Sequence, residues 1–223
     1  MKLKEIEKRV RACIDGLDSN QSGFIDKEKD EDNLTLIIKD KVKDALVYIL
    51  LNAPASYLQG FGREVINDSK AEKIVKDDLS VSVALPGNVL RLLSARLDSW
   101  YLTPDIVDEQ SEVAMMQANE WTRGSWDRPV VVFGHRGTDD YLFFYSAKNT
   151  NDKVTITYIK APELDNVTVD TDIDLPKAIE TAFIYQVAGL TLMAQQDQLA
   201  DKCLSMANTY LGITENPNPI QQQ

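Results

Sequence analysis

The chain has 223 residues, 43% of them hydrophobic and 26% charged, enough to bury a core in one domain or in one domain with an insertion. With 35 acidic residues against 24 basic ones its net charge is −11, which argues against a nucleic-acid grip made of clustered Lys and Arg. No apolar run approaches the roughly 20 residues that span a bilayer, and the first residues alternate Lys and Glu, so a cytosol-like compartment is expected.

Leu3, Ile6, Val10, Cys13, Ile14 and Leu17 recur at helical spacing and predict an amphipathic helix over Leu3 to Leu17. Cys13 and Cys203 lie far apart, without CxxC or Cys/His spacing, and each falls on the apolar side of a predicted helix; both are expected to be free, buried thiols. The next segment, Asp18 to Asn33, is polar. Within it Asp18, Asn20, Ser22 and Asp26 place oxygens at positions one, three, five and nine of an EF-hand-like loop, with Gly23 at six and Ile25 at eight. Position twelve is Lys29, a cation where calcium needs a bidentate carboxylate, and Glu28 stands one residue out of register. A polar inter-helix turn is therefore expected over 18–29, and no metal ligands are assigned.

Val42, Ala45, Leu46, Ile49 and Leu50 form a second helical face, stopped by Asn52-Ala53-Pro54. Tyr57 to Ile66 reads as a short helix broken by Gly60 and Gly62; Gly60-Phe61-Gly62 lacks the context of a nucleotide loop and is expected to be a flexible loop. Leu79, Val81, Val83 and Leu85 alternate as a half-buried strand, Pro86-Gly87 turns the chain, and Val89 to Trp100 reads as a second strand with Val89, Leu93, Ala95 and Leu97 on one side, although Leu90 and Leu92 also allow a helix. Thr103-Pro104-Asp105 opens a predicted helix running to Ala118, in which Met115 and Met116 are expected to fill core, an adaptable contact surface being the alternative.

Gln117 to Pro129 gathers Trp121, Arg123, Trp126 and Arg128 among polar residues, the composition of an interface hot spot or of a well-anchored loop. Val130 to Gly134, Tyr141 to Ser146 and Val154 to Ile159 predict three strands of an antiparallel meander, with turns at Gly137-Thr138-Asp139-Asp140 and Asn149-Thr150-Asn151-Asp152. His135, the one histidine, has no Ser, Cys or His partner nearby in sequence, which leaves hydrolase and transferase chemistry without support. After an acidic connector, Pro176 opens a helix carrying Ile179, Phe183, Val187, Leu190 and Ala194. Gln195-Gln196-Asp197 loosens that helix before Leu199, Cys203, Met206, Ala207 and Tyr210 continue the period.

The succession Leu85-Pro86, Leu90-Arg91-Leu92-Leu93-Ser94, Trp100, Gln117, Asn119, Gly124, Arg128-Pro129, Val154-Thr155-Ile156-Thr157-Tyr158 and Leu175-Pro176 before a long helix resembles the head-to-tail adaptor proteins of tailed double-stranded DNA phages. The pattern covers roughly residues 40 to 212. The Asn-rich turns, acidic balance and Gln-rich end are similar to ring proteins of the crAss-like phages.

This resemblance implies an α+β fold, a helical bundle with a small antiparallel β-sheet insertion. An N-terminal helix and acidic loop would occupy 1–40, and the adaptor-like domain 41–212, with helices at 41–78 and 175–212 around a β-rich insertion at 79–172. Residues 213–223 would be a flexible tail. The implied protein is a structural virion component of the neck and tail region, assembled in the host cytoplasm. It would form a homo-oligomeric ring of twelve copies, docked on the portal protein and on other tail or ring proteins. DNA would pass without being read, and neither an enzyme activity nor a cofactor is implied. A calcium-binding interaction module using the 18–29 loop is the alternative, and a carboxylate-dependent hydrolase has no motif in its favour.

Overall fold

The computed structural model describes residues 1–17, 27–58, 63–68, 72–74, 80–119, 121–125, 127–147, 152–164 and 171–213. In chain order the elements are α1 (Leu3–Leu17), α2 (Lys27–Asn52), β1 (Arg63–Asp68), β2 (Glu72–Ile74), β3 (Ser80–Ala84), β4 (Val89–Leu97) and β5 (Ile106–Asp108). They continue with α3 (Glu112–Met116), β6 (Val130–Arg136), β7 (Asp139–Tyr145), β8 (Val154–Lys160), α4 (Lys177–Ala194) and α5 (Ala200–Leu211). The chain divides into a helical unit, Met1–Phe61 with Pro162–Gln223, and a sheet-bearing unit, Gly62–Ala161.

In the helical unit α4 packs against α1, α2 and α5. Its sequence KAIETAFIYQVAGLTLMA has one acidic and one basic residue, both in the first turns, so nearly its whole circumference can be buried without stranding a charge. The single face expected from Ile179, Phe183 and Val187 is accordingly joined by buried Ala182, Ile184, Ala188 and Leu192. Gly189 lets α5 approach: a Cβ there would lie 2.6 Å from Leu204 Cδ2 and 3.2 Å from Leu204 N. Pro176 caps α4 from an extended conformation, one position before the helix proper, and the break at Gln195-Gln196-Asp197 separates α4 from α5 as the loosened period suggested. Gly212, at φ +74°, ends α5 in the left-handed conformation that costs glycine least. Polar links complement the apolar packing: Thr35 Oγ1 donates to Glu7 Oε1 at 2.6 Å between α2 and α1, and Tyr48 Oη donates to Asn208 Oδ1 at 2.9 Å between α2 and α5.

The sheet-bearing unit contains two sheets, one of strand order β1-β8-β4 and one of order β2-β3-β7-β6-β5. Val81, Val83, Val131, Leu142 and Phe144 from the larger sheet meet Ala95, Leu97, Val154, Ile156 and Tyr158 from the smaller one in a shared core that also holds Trp100 and Ala147. This is the alternation of a sandwich: the residues that enter the shared core are every second one, Val81 and Val83 on β3, Val131 and Phe133 on β6, Leu142 and Phe144 on β7, and Val154, Ile156 and Tyr158 on β8, while Ser82, Val132 and Ile159 are buried beside them.

The expectation of a helical bundle with a small antiparallel insertion is therefore corrected. Of the described residues about 42% are helix and 26% strand, and the strands belong to two sheets with a core of their own. The physical reason is period: segments alternating apolar and polar side chains every second residue bury one face only if a second sheet covers it.

Four local expectations change with it. Where Tyr57 to Ile66 is expected as a short broken helix, its last four residues belong to β1 (Arg63–Asp68), paired antiparallel with β8. The predicted helix over Asp105 to Ala118 is instead the three-residue strand β5, parallel to β6, followed by the one-turn helix α3. The three-stranded meander is only a hairpin, because β6 and β7 pair while β8 lies in the other sheet between β1 and β4. Its first turn stands, with Gly137 at φ +66°; the second, at 149–151, lies outside the described residues. On β4 the core partner is Leu92 and not Leu93, because the register slips between Leu92 and Ser94 and leaves Leu93 as the extra residue of a β-bulge.

Candidate functional site: an interaction surface in the sheet-bearing unit

Side-chain hydrogen bonds hold the segment from α3 to β6 in one shape. Ser111 caps α3, its Oγ accepting from Ala114 N at 3.2 Å. Gln117, just past the helix, is buried, and both ends of its amide are used: Nε2 donates to Val113 O at 2.8 Å and Oε1 accepts from Gly124 N at 2.9 Å. Its backbone carbonyl accepts from Arg123 Nε at 2.9 Å. Thr122 Oγ1 donates to Met116 O at 2.9 Å, and Trp121 N donates to Asn119 Oδ1 at 2.9 Å. Gly124 is required by space, since a Cβ would meet Arg128 O at 2.8 Å and Val130 Cγ2 at 2.9 Å. The clasp is moored to the core through Ser146, whose hydroxyl donates to Gly124 O and whose carbonyl accepts from the indole of buried Trp100 at 3.1 Å.

What this clasp presents is apolar. Trp121 is 92% exposed and Met115 65%, with Met116 and Val113 also in the open. An ordered loop that keeps an indole in water gives up roughly 1.5–3 kcal/mol of burial for a large apolar side chain, which makes sense where a partner removes that surface from water. Of the two readings of Met115 and Met116, core filling is thus corrected, since the one-turn helix has no buried residue, and the exposure favours the alternative of a contact surface. Polarizable, unbranched Met suits such a contact surface.

Of the residues singled out from sequence, Trp121 and Arg123 are brought together on the clasp. Arg128 closes a two-residue turn in which Ser125 N donates to Arg128 O at 3.1 Å and Arg128 N to Ser125 O at 2.9 Å. Its side chain is exposed. Trp126 lies outside the described residues. Asp127, in the same turn, is held below the usual carboxylate range chiefly by the Ser125 hydroxyl. Burial pushes the Tyr145 phenol up, against the opposing pull of the Arg123 and Arg136 guanidiniums. The sequence reading missed the role of Gln117. A lone Gln seven residues before a Gly in a polar loop was a signal of sorts, but no periodicity distinguishes a clasp from a solvated amide.

His135, at the far end of β6, is exposed, with Nδ1 2.7 Å from Asp140 Oδ1, and its backbone N–H donates to Glu109 Oε2 at 3.2 Å. Arg136 beside it lies over Tyr141 and Phe143, 5.3 and 4.8 Å from the ring centroids. Burial raises the thiol pKa of Cys13, and that of Cys203 to about 11, so both stay protonated and weakly nucleophilic at neutral pH. The EF-hand-like positions Asp18, Asn20, Ser22 and Asp26 lie outside the described residues; Lys27–Lys29 open α2. Among the described residues no group of three or more His, Cys, Asp or Glu side chains could hold a metal ion, and no helix is long and apolar enough to cross a membrane.

No protein-family model matches the chain, and no curated protein matches it.

Proposed function

We propose that the chain is a structural subunit of a macromolecular assembly, and specifically a head-to-tail connector of a tailed double-stranded DNA phage. The observation that carries the first statement is Trp121, 92% exposed at the tip of a segment pinned by a buried amide. Trp and Arg are the side chains most enriched at interface hot spots, and pinning the loop in advance reduces the entropy lost on docking. The second statement rests on the resemblance carried by Leu85-Pro86, Leu90 to Ser94, Gly124, Arg128-Pro129, Val154 to Tyr158 and Leu175-Pro176. Copies of the chain form a ring on the portal and offer the next tail component a platform. The net charge of −11 suits a passage through which DNA moves without being held.

Sizing chromatography and electron microscopy of the purified chain, with and without its portal, test this directly. Rings or a portal complex are expected. Trp121→Ala should weaken that association by about thirtyfold, the equivalent of a hot-spot loss of about 2 kcal/mol. A chain that stays monomeric with and without the portal at concentrations of tens of micromolar, or a Trp121→Ala variant that assembles as tightly as the parent, would refute the reading.

A further inference from the structure

A second surface of the sheet-bearing unit lies where both sheets end. β5 is the outermost strand of the larger sheet and β4 an outermost strand of the smaller one, and between these two edges runs a groove of about 550 Å³. Its floor is the core itself: Leu92, Ile106 and Phe133 line it and also pack against the buried cluster. Leu93, pushed out by the β4 bulge, forms part of its wall. The volume falls in the range of ordinary ligand clefts, roughly 300–1,000 Å³.

The backbone of β5 adds a directional feature. Glu109 N donates to Phe133 O at 2.9 Å, so by the two-residue alternation of a strand Val107 also turns its amide toward β6. Ile106 and Asp108 therefore point their N–H groups to the free edge. The Asp108 carbonyl is already occupied by Ser111, whose N–H reaches it at 3.0 Å and whose hydroxyl reaches it at 2.6 Å. Among the described residues nothing bonds the Ile106 N–H and C=O or the Asp108 N–H, which form the hydrogen-bonding edge of a strand about 10 Å long.

The charged side chains lining the groove are Asp105 and Asp108, both exposed. The surrounding segment, Thr103 to Val113, adds Glu109 and Glu112 and contains no Lys, Arg or His. We infer that the β4–β5 groove is a docking site for an extended segment of another protein in which Lys or Arg alternates with apolar residues. Such a segment adds a strand to β5, sinks its apolar side chains onto Leu92, Leu93, Ile106 and Phe133, and sets its cations on the opposite face beside Asp105, while Asp108, which shares the face of Ile106 and Phe133, adds its charge at the strand's end. Charge selects this occupant over the two nearer at hand. The terminal stretch Thr214 to Gln223 has a Glu and no Lys or Arg, and a second copy of the chain brings another net charge of −11.

The test uses the full chain, isotope-labelled, and two synthetic peptides, one alternating Lys with Val and the other Glu with Val. The Lys–Val peptide is expected to shift the amide resonances of Leu92 to Ser94 and Asp105 to Asp108, and to slow hydrogen exchange at Ile106 and Asp108. The Glu–Val peptide should do neither. In the double variant Asp105→Lys, Asp108→Asn, whose exposed sites leave the core untouched and whose Asn keeps the acceptor for Gln110 N, Lys–Val affinity should fall about tenfold. The inference is overturned if millimolar Lys–Val peptide leaves the groove amides unmoved, or if both peptides bind alike. It is also overturned if removing Thr214 to Gln223 shifts the same amides, or if they shift with protein concentration alone, since the occupant is then the chain's own end or a second copy.

Discussion

Replacing Gln117 by Leu should loosen the Trp121 segment without disturbing either core. The two side chains are similar in size, so the substitution leaves little cavity, but it removes the donor to Val113 O and the acceptor for Gly124 N, bonds of 2.8 and 2.9 Å. Each such bond contributes about 1 kcal/mol net, so the segment loses about 2 kcal/mol, a shift of roughly thirtyfold in its local opening equilibrium. Native-state hydrogen exchange reads this at one amide: Gly124 N–H should exchange about thirtyfold faster, while the paired amides of β6 and β7 keep their rates. Pre-organisation makes a second readout. Because a loosened Trp121 must be ordered again on docking, Gln117→Leu should weaken assembly although residue 117 is itself buried. An unchanged Gly124 exchange rate in a folded Gln117→Leu protein would show that the amide clasp does not hold the loop.

Gly189→Ala gains about 1 kcal/mol of helix propensity but drives a methyl to within 2.6 Å of Leu204 Cδ2, a strain of about 1–3 kcal/mol; the net is a lower thermal midpoint, and a variant more stable than the parent would contradict the packing described. Gly16→Ala is the control, since nothing lies within 4 Å of its added Cβ, and it should raise stability by up to about 1 kcal/mol. Cys203 has a thiol pKa raised by burial from 9.0 to about 11, so the folded state keeps a proton that the unfolded chain releases in between. Its contribution is therefore present below pH 9 and lost as pH rises toward about 11, and denaturant midpoints of parent and Cys203→Ala should show a smaller alkaline decline in the variant, equal slopes counting against it. Calorimetry should find no calcium binding by the parent at millimolar concentration and binding near 10⁻⁴–10⁻³ M, roughly the weak end of such sites, in Lys29→Glu; equal heats from both would dismiss Lys29 as the reason.

Elements whose side chains repeat with one clean period were legible. α1, α4, α5, β3 and the β6–β7 hairpin follow directly from apolar residues every third or fourth, or every second, position. The β5–α3 segment was not legible, because Ile106, Val107, Val113, Met115 and Met116 are compatible with an amphipathic helix until the parallel pairing of β5 with β6 claims the first two. That pairing joins Ile106 to Val131 and Val107 to Val132, partners more than twenty residues away, which no local window contains. The Leu92–Leu93 ambiguity had the same origin. Both are leucines in one strand, and only the slipped register against Tyr158 and Thr157 decides which of them faces the core.

The candidate surface shows a different limit. Trp121, Arg123 and Arg128 drew attention by composition, whereas the clasp made by Gln117, which bonds Arg123 Nε and Gly124 N, did not, since it depends on Gly124 being seven residues away and on Ser146 reaching Gly124 O from another strand. Residue type says what a side chain can contribute to an interface; backbone closure decides whether it is delivered. The same distinction separates the two surfaces of the sheet-bearing unit. Trp121 is a protrusion whose side chain announces itself, while the β4–β5 groove is made of ordinary Leu, Ile and Asp and arises because two sheets end on one side. A protrusion and an open sheet edge place different demands on a partner, a pocket in one case and an extended strand in the other. Trp121→Ala and the Asp105, Asp108 pair should therefore impair separate contacts, and their effects on an assembly that uses both should add.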